Sequence, residues 1–127
     1  MMDRQELLEI LHTVHNYNIK LISALNGVVE DLRGQNEADG LKILVEAIEG
    51  IEWSISAALA SKRILAQYGL IINENTVTGT LKQIVGSLEN NDYVLLPDLI
   101  EFEILDFLNR FQGILKLILN EANNVQQ

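Results

Sequence analysis

Apolar residues recur along the chain at alternating spacings of 3 and 4, in four blocks separated by short polar links. The first block is Leu7, Leu11, Val14, Asn18, Leu21, Leu25, Val28 and Leu32, which form one stripe on an α-helix. Ahead of it, Asp3-Arg4-Gln5-Glu6 has the form of a capping box: Asp3 accepts from the backbone three residues on, and Glu6 reaches back. A helix of about 30 residues, about 45 Å long, is predicted. Gly34-Gln35-Asn36 then supplies a stop, a link and a fresh N-cap, with Asp39 where the helix dipole favours an anion.

The second block, Leu41, Leu44, Ile48, Ile51, Ile55 and Ala58, carries a helix to about Tyr68, where Gly69 ends it and Leu70 supplies the apolar contact after the cap. Beside this stripe lie Ala47, Gly50, Ser54, Ala57 and Ser61, all small, so a neighbouring helix can approach closely. Leu70-Ile71-Ile72 is too apolar for a solvated loop and is predicted to tuck over one end of the fold. Asn73 or Asn75 then caps a third helix of about 15 residues with Val77, Leu81, Ile84, Val85 and Leu88 on one face. Gly79 and Gly86 each lower its intrinsic stability by about 1 kcal/mol relative to Ala, so it relies on tertiary support.

After a turn at Asn90-Asn91-Asp92, the stretch from Tyr93 to Leu119 carries more apolar surface than one helix face can use. Leu96, Ile100, Ile104, Phe107, Phe111, Ile114 and Ile118, widened by Leu108 and Leu115, form the predicted core stripe. Leu95, Leu99 and Phe102 form a second, short stripe on the other side, ended by Asp106 with Leu105 beside it. Pro97, the only proline, either starts the regular helix in its first turn or kinks a helix begun at Asp92, because it cannot donate the i to i−4 bond. Asn120 to Gln127 is polar and expected to fray.

These blocks predict an all-α, single-domain protein over residues 1–127. The expected form is an up-down four-helix bundle, with helices at about 3–33, 37–68, 74–90 and 92–121 and a short third member. The leftover stripe suggests a dimer. No internal repeat stands out beyond the shared heptad-like texture.

Nine Lys+Arg against eighteen Asp+Glu leave a formal charge of −9. With no basic run longer than Lys62-Arg63, nucleic-acid binding is not expected, since phosphate backbones are held by clustered cations. No stretch approaches the roughly 20 apolar residues of a membrane span, and the charged start lacks the form of a cleaved export signal. The absence of cysteine excludes disulfides, thiolate zinc sites and thiol catalysis and fits a cytoplasmic protein.

Candidate chemistry is thin. Di-iron bundles repeat a Glu-x-x-His motif, and this chain has one copy, Glu9-x-x-His12, followed by His15; surface histidines are the expectation, with no metal and no cofactor. Glu46, Glu49 and Glu52 rise on the outer side of the second helix beside Trp53, but paired carboxylates work as acid and base only in a desolvated cleft. No phosphate-cradling loop or nucleophile motif is present, so no catalytic residue is assigned and an enzyme is not expected.

Gly50-Ile51-Glu52-Trp53 with the small residues after it, and Asn91-Asp92-Tyr93-Val94-Leu95-Leu96-Pro97-Asp98-Leu99-Ile100-Glu101-Phe102-Glu103, resemble a family of small acidic helical bacterial proteins of unknown function. The resemblance covers most of the chain. Alanine is commoner in that family at the position of Pro97, which implies a helix begun near Asp92 and bent here. It implies no activity and no catalytic residue.

The expected function is protein contact, as a homodimer or as an adaptor or chaperone for an amphipathic helix, an outline similar to bacterial export chaperones. Leu95, Leu99, Phe102, Asp106 and Trp53 are the candidate partner-binding residues. The alternative for the short stripe is burial within one monomer, for example under Leu70-Ile71-Ile72. Asn18, the one polar member of its stripe, needs a partner: either it sets register or oligomer state, or it bonds locally to a neighbour. The rival function is a small-ligand or metal-binding bundle with its site between helices.

Overall fold

The structure, a computed structural model, describes residues 3–126. Met1, Met2 and Gln127, included in the expected domain and in the expected frayed end, lie outside the described residues. The fold is all-α. Its elements are α1 (Arg4–Arg33), α2 (Glu37–Ala60), α3 (Lys62–Gln67), α4 (Glu74–Glu89), α5 (Leu95–Leu99), a π-helical segment (Ile100–Leu105) and α6 (Asp106–Gln126). The described residues therefore form six α-helical segments and one π-helical segment rather than four continuous rods.

The caps follow from local chemistry. Asp3 accepts from the Glu6 amide at 2.8 Å and opens α1. Asn73, not Asn75, accepts from the Thr76 amide at 3.2 Å and opens α4. Gly69 adopts φ +94°, the left-handed conformation that ends a helix without a Cβ penalty. The Leu70 amide then reaches the Leu65 carbonyl and the Gly69 amide that of Ala66, a Schellman closure that stacks Leu70 on the same core cluster as Leu65. Asn91, at φ 56°, closes α4 in the same way, through the Asp92 amide to Ser87 and its own to Leu88. The Asp92 side chain then accepts from the Leu95 amide, and Pro97 falls in the first turn of α5, where its missing N–H is no loss. Regular helix thus begins at Leu95, not at Asp92 as the family resemblance implies.

Three further expectations are corrected. The second helix breaks at Ser61 instead of running unbroken to Tyr68. The last helix continues to Gln126 instead of ending near residue 121, with Ala122 buried against the fold. The core stripe of the last helix changes phase. Leu96, Leu99 and Ile100 are buried first, then Ile104 and Leu105, then Leu108, Phe111, Leu115 and Ile118. From Leu99 to Ile104 and from Ile100 to Leu105 the spacing is five, because a π turn takes up one extra residue. Leu108 and Leu115 therefore become fully buried, while Phe107 and Ile114 move to the half-buried flank.

α1 and α2 pack antiparallel, and α1 also lies along α6, α5 and the π segment; α4 rests on α5, the π segment and α2. Two apolar clusters result. One joins the second half of α1, α2 from Leu44 to Ile55, α4, α5, the π segment and Leu108 of α6. The other joins the first half of α1, the end of α2, α3, Ile72 and α6. Each buried Leu, Ile or Phe contributes about 1.5–3 kcal/mol relative to exposure. α4 is the least covered: Ile84 is fully buried, whereas Val77, Leu81, Val85 and Leu88 are half-buried.

Candidate functional site

The predicted stripe on the last helix is split by the structure. Leu99 is only 9% exposed and belongs to the core: it shares a face of α5 with Leu96 and Ile100, and the wide π turn that follows lets that face and the core stripe of α6 both point inward. Leu105 is buried for the same reason. Leu95 and Phe102 remain outside, 43% and 62% exposed, with Asp98 between them at spacings of 3 and 4 and Val94 exposed just before them. The segment Leu70-Ile71-Ile72 does not cover this face: Ile72 is buried in the other cluster, and Ile71 is exposed.

Arg33, from the last turn of α1, braces the stripe. Its guanidinium donates to Asp98 at 2.7 Å and also to Glu101, and it lies 5.8 Å from the centre of the Phe102 ring. These hydrogen bonds, to Asp98 first and then Glu101, raise its pKa above the ordinary guanidinium value. The groups are exposed, so the pairs orient Phe102 more than they stabilise the fold. Arg33 was not singled out from the sequence. Its partners stand 65 and 68 residues away, and no local pattern pairs them.

Asp106 does not end the stripe. It accepts from Arg110 at 3.1 Å and lines a different hollow, of about 210 Å³, between residues 70–73, α4 and the junction of the π segment with α6. Ile72, Val77, Ile104 and Phe107 give that hollow apolar walls, and Thr76, Glu103, Asp106 and Arg110 give it polar ones.

Trp53 lies elsewhere, on the outer seam between α1 and α2. Its ring meets Tyr17 edge-on, with centroids 5.0 Å apart and planes at 74°. The two rings are 44% and 37% exposed. The seam is tight because residue 50 is glycine: an added Cβ would overlap the Tyr17 hydroxyl and stand 3.0 Å from Cζ. Thr13, Glu49, Glu52 and Ser56 complete an open groove around the pair. Sequence reasoning missed Tyr17, although it lies beside Asn18 on α1 and meets Gly50 of the small-residue row of α2.

Asn18 is fully buried, and its partner is neither local nor in another chain. The Ser54 hydroxyl donates to Asn18 Oδ1 at 2.7 Å across the α1–α2 interface. The expected bond to a neighbouring side chain is present, made across the α1–α2 interface rather than within α1. Asn18 Nδ2 has no partner among the described residues. One turn earlier on α1, the His15 carbonyl accepts from Gln112 Nε2 of α6 at 3.0 Å, while Gln112 Oε1 is buried with no partner among the described residues. Desolvation, then the charges of His12 and Lys116, lower the pKa of His15.

Among the described residues, no cluster of three or more His, Asp or Glu could hold a metal ion, and no helix is long and apolar enough to cross a membrane. No curated protein and no solved structure matches the chain. One family model does, a domain of unknown function, DUF8042, over residues 9–114. That span runs from the first turns of α1 into α6 and includes Tyr17, Asn18, Arg33, Trp53, the π segment and Phe102, so the chain belongs to the DUF8042 family.

Proposed function

We propose that the protein is a non-enzymatic interaction module that binds an amphipathic helix, either its own in a homodimer or a partner's, as an adaptor or chaperone would. The observation that carries this reading is the exposure of Leu95 and Phe102, seven residues apart on one face of a segment whose other large apolar residues, Leu96, Leu99, Ile100 and Ile104, are buried. Large exposed apolar side chains on one face anchor protein contacts. Charge favours a partner's helix over a second copy. Asp92, Asp98, Glu101 and Glu103 surround the stripe with Arg33 as the counterweight, so two copies meeting here would oppose like charges.

Leu95→Glu and Phe102→Glu test the surface, whereas Leu99→Glu does not, because it would bury a charge. Native mass by light scattering, together with co-purification from the native host, should change in both exposed-site variants. A helical content equal to wild type with unaltered mass and unaltered partners would remove the stripe from function. A wild-type mass of one chain at all concentrations would remove the homodimer and leave the partner helix.

A second reading, small-ligand binding, rests on the hollow beside Asp106 and Arg110. π turns often mark functional positions in helices, and here Glu103 and Ile104 of the π segment line the cavity. Val77→Trp would fill it, and unchanged thermal shifts across a panel of small amphiphiles in wild type would end this reading.

A further inference from the structure

The groove at Tyr17 and Trp53 has a composition unlike the apolar stripe. Two aromatic rings at 74° form a corner, and both residues are partly exposed to solvent. Two carboxylates, Glu49 and Glu52, line it, and no cation does. Glu49 is one helical turn from both Glu52 and Trp53, so the carboxylates and the indole are surface neighbours on α2. Neither carboxylate forms an ion pair among the described residues. Glu46 extends the row, and the chain as a whole carries −9. Gly50 holds the corner shut from below by letting Tyr17 lie against the α2 backbone.

We propose that this groove seats an arginine side chain from a basic segment of a partner protein. A guanidinium fits both halves of the site, since its plane stacks on an indole or phenol face and its fork of N–H groups bonds carboxylates. Binding also relieves the mutual repulsion of Glu49 and Glu52. The surface is separate from Leu95 and Phe102, and the inference stands or falls independently of the reading given there.

Trp53 is the only tryptophan, so its emission reports on this groove alone. The full chain is titrated at low ionic strength with an arginine-bearing peptide that contains no aromatic residue. The expected result is a saturable change in Trp53 emission that is absent with the citrulline version of the peptide and weaker with the lysine version. Glu49→Gln with Glu52→Gln should weaken binding about tenfold, and Tyr17→Leu about fivefold. Far-UV circular dichroism checks that these surface variants keep their helices, and Leu117→Gln, at an exposed position outside the groove, should bind the peptide as wild type does. Three results would overturn the proposal: no saturable change with the arginine peptide, equal affinity for the citrulline peptide, or unaltered affinity in the double Gln variant. Free arginine amide binding as tightly as the peptide would also overturn it, by assigning the groove to a small cation.

Discussion

Tyr17 and Asn18 are neighbours on α1, and Trp53 and Ser54 are neighbours on α2, yet the two rungs they form across the same interface have opposite fates. Asn18 and Ser54 face inward, fully buried, and are joined by one 2.7 Å hydrogen bond. Tyr17 and Trp53 face outward and hold each other by ring contact with solvent beside them. A rotation of about 100° per residue separates a sealed polar rung from an open aromatic one. Sliding either helix would strand the Asn18 amide and the Ser54 hydroxyl in the core, where an unpaired polar group costs about 1–3 kcal/mol. The outer rung is free to meet something else.

Asn18→Asp should have the largest effect, although it replaces only the amide group. It would bury a carboxylate with no cation, which is expected to destabilise the fold by on the order of 3 kcal/mol at neutral pH. Burial would raise that Asp pKa above its unfolded value, so the protonated form is favoured on folding and the deficit shrinks as pH falls toward the unfolded pKa. Urea melts at neutral and mildly acidic pH measure both. A deficit below about 1 kcal/mol would mean that the inner rung is wetter than its burial indicates.

Asn18→Leu combined with Ser54→Ala should move stability the other way, by roughly 1–2 kcal/mol, because it removes an amide whose Nδ2 is buried without a partner. Asn18→Leu alone should also raise the melting temperature, by less, since Ser54 must turn its hydroxyl back to its own helix. Calorimetry with light scattering reads melting temperature and mass together. A lowered melting temperature at unchanged mass would show that the bond stabilises and is not only a register device.

Gly50→Ala sharpens the outer rung. Alanine is intrinsically better in a helix by about 1 kcal/mol, but its Cβ must push the Tyr17 ring off Trp53, giving up an aromatic pair worth about 0.5–1.5 kcal/mol. Net stability should stay within about 1 kcal/mol of wild type while Trp53 emission shifts to the red. An unshifted spectrum would mean that Tyr17 does not shield the indole.

The smallest effect concerns His15, beside the inner rung. Its pKa in the fold lies below the ordinary 6.5, chiefly from desolvation, so the unfolded chain binds the proton more readily. Stability is then full above about 6.5 and declines as pH falls through that value toward the lower folded pKa. His15→Gln should flatten this part of a stability profile against pH, and an unchanged slope would remove His15 as its source.

Much of the fold was legible because helix periodicity and caps are local. Asp3, Gly34, Asn73, Gly69 and the Asn90-Asn91-Asp92 turn sit at or beside the boundaries they predict. The last helix was misread at one place. A uniform period of about 3.6 carries Leu99 outward and Phe107 inward, and the π turn at Ile100–Leu105 reverses both. No residue type announces such a turn, since it appears when the packing at Leu96, Leu99 and Ile100 and that at Leu108, Phe111 and Leu115 demand different phases. The candidate surfaces were half visible: Trp53, Leu95 and Phe102 could be named as exposed apolar side chains, but Tyr17 and Arg33 could not be given partners.

The amino-acid sequence by itself determined the helical class, the caps at Asp3, Gly34, Gly69 and the Asn90-Asn91-Asp92 turn, and the stripes of α1 and α2, because each depends on bonds and spacings within a few residues. Tertiary structure alone decided which apolar residues remained outside, which helix met the Asn18 amide, and where an aromatic corner stood beside unpaired carboxylates. Those outcomes depend on the rotation of one packed helix against another, and residues tens of positions apart share no local energy term that could fix it in advance.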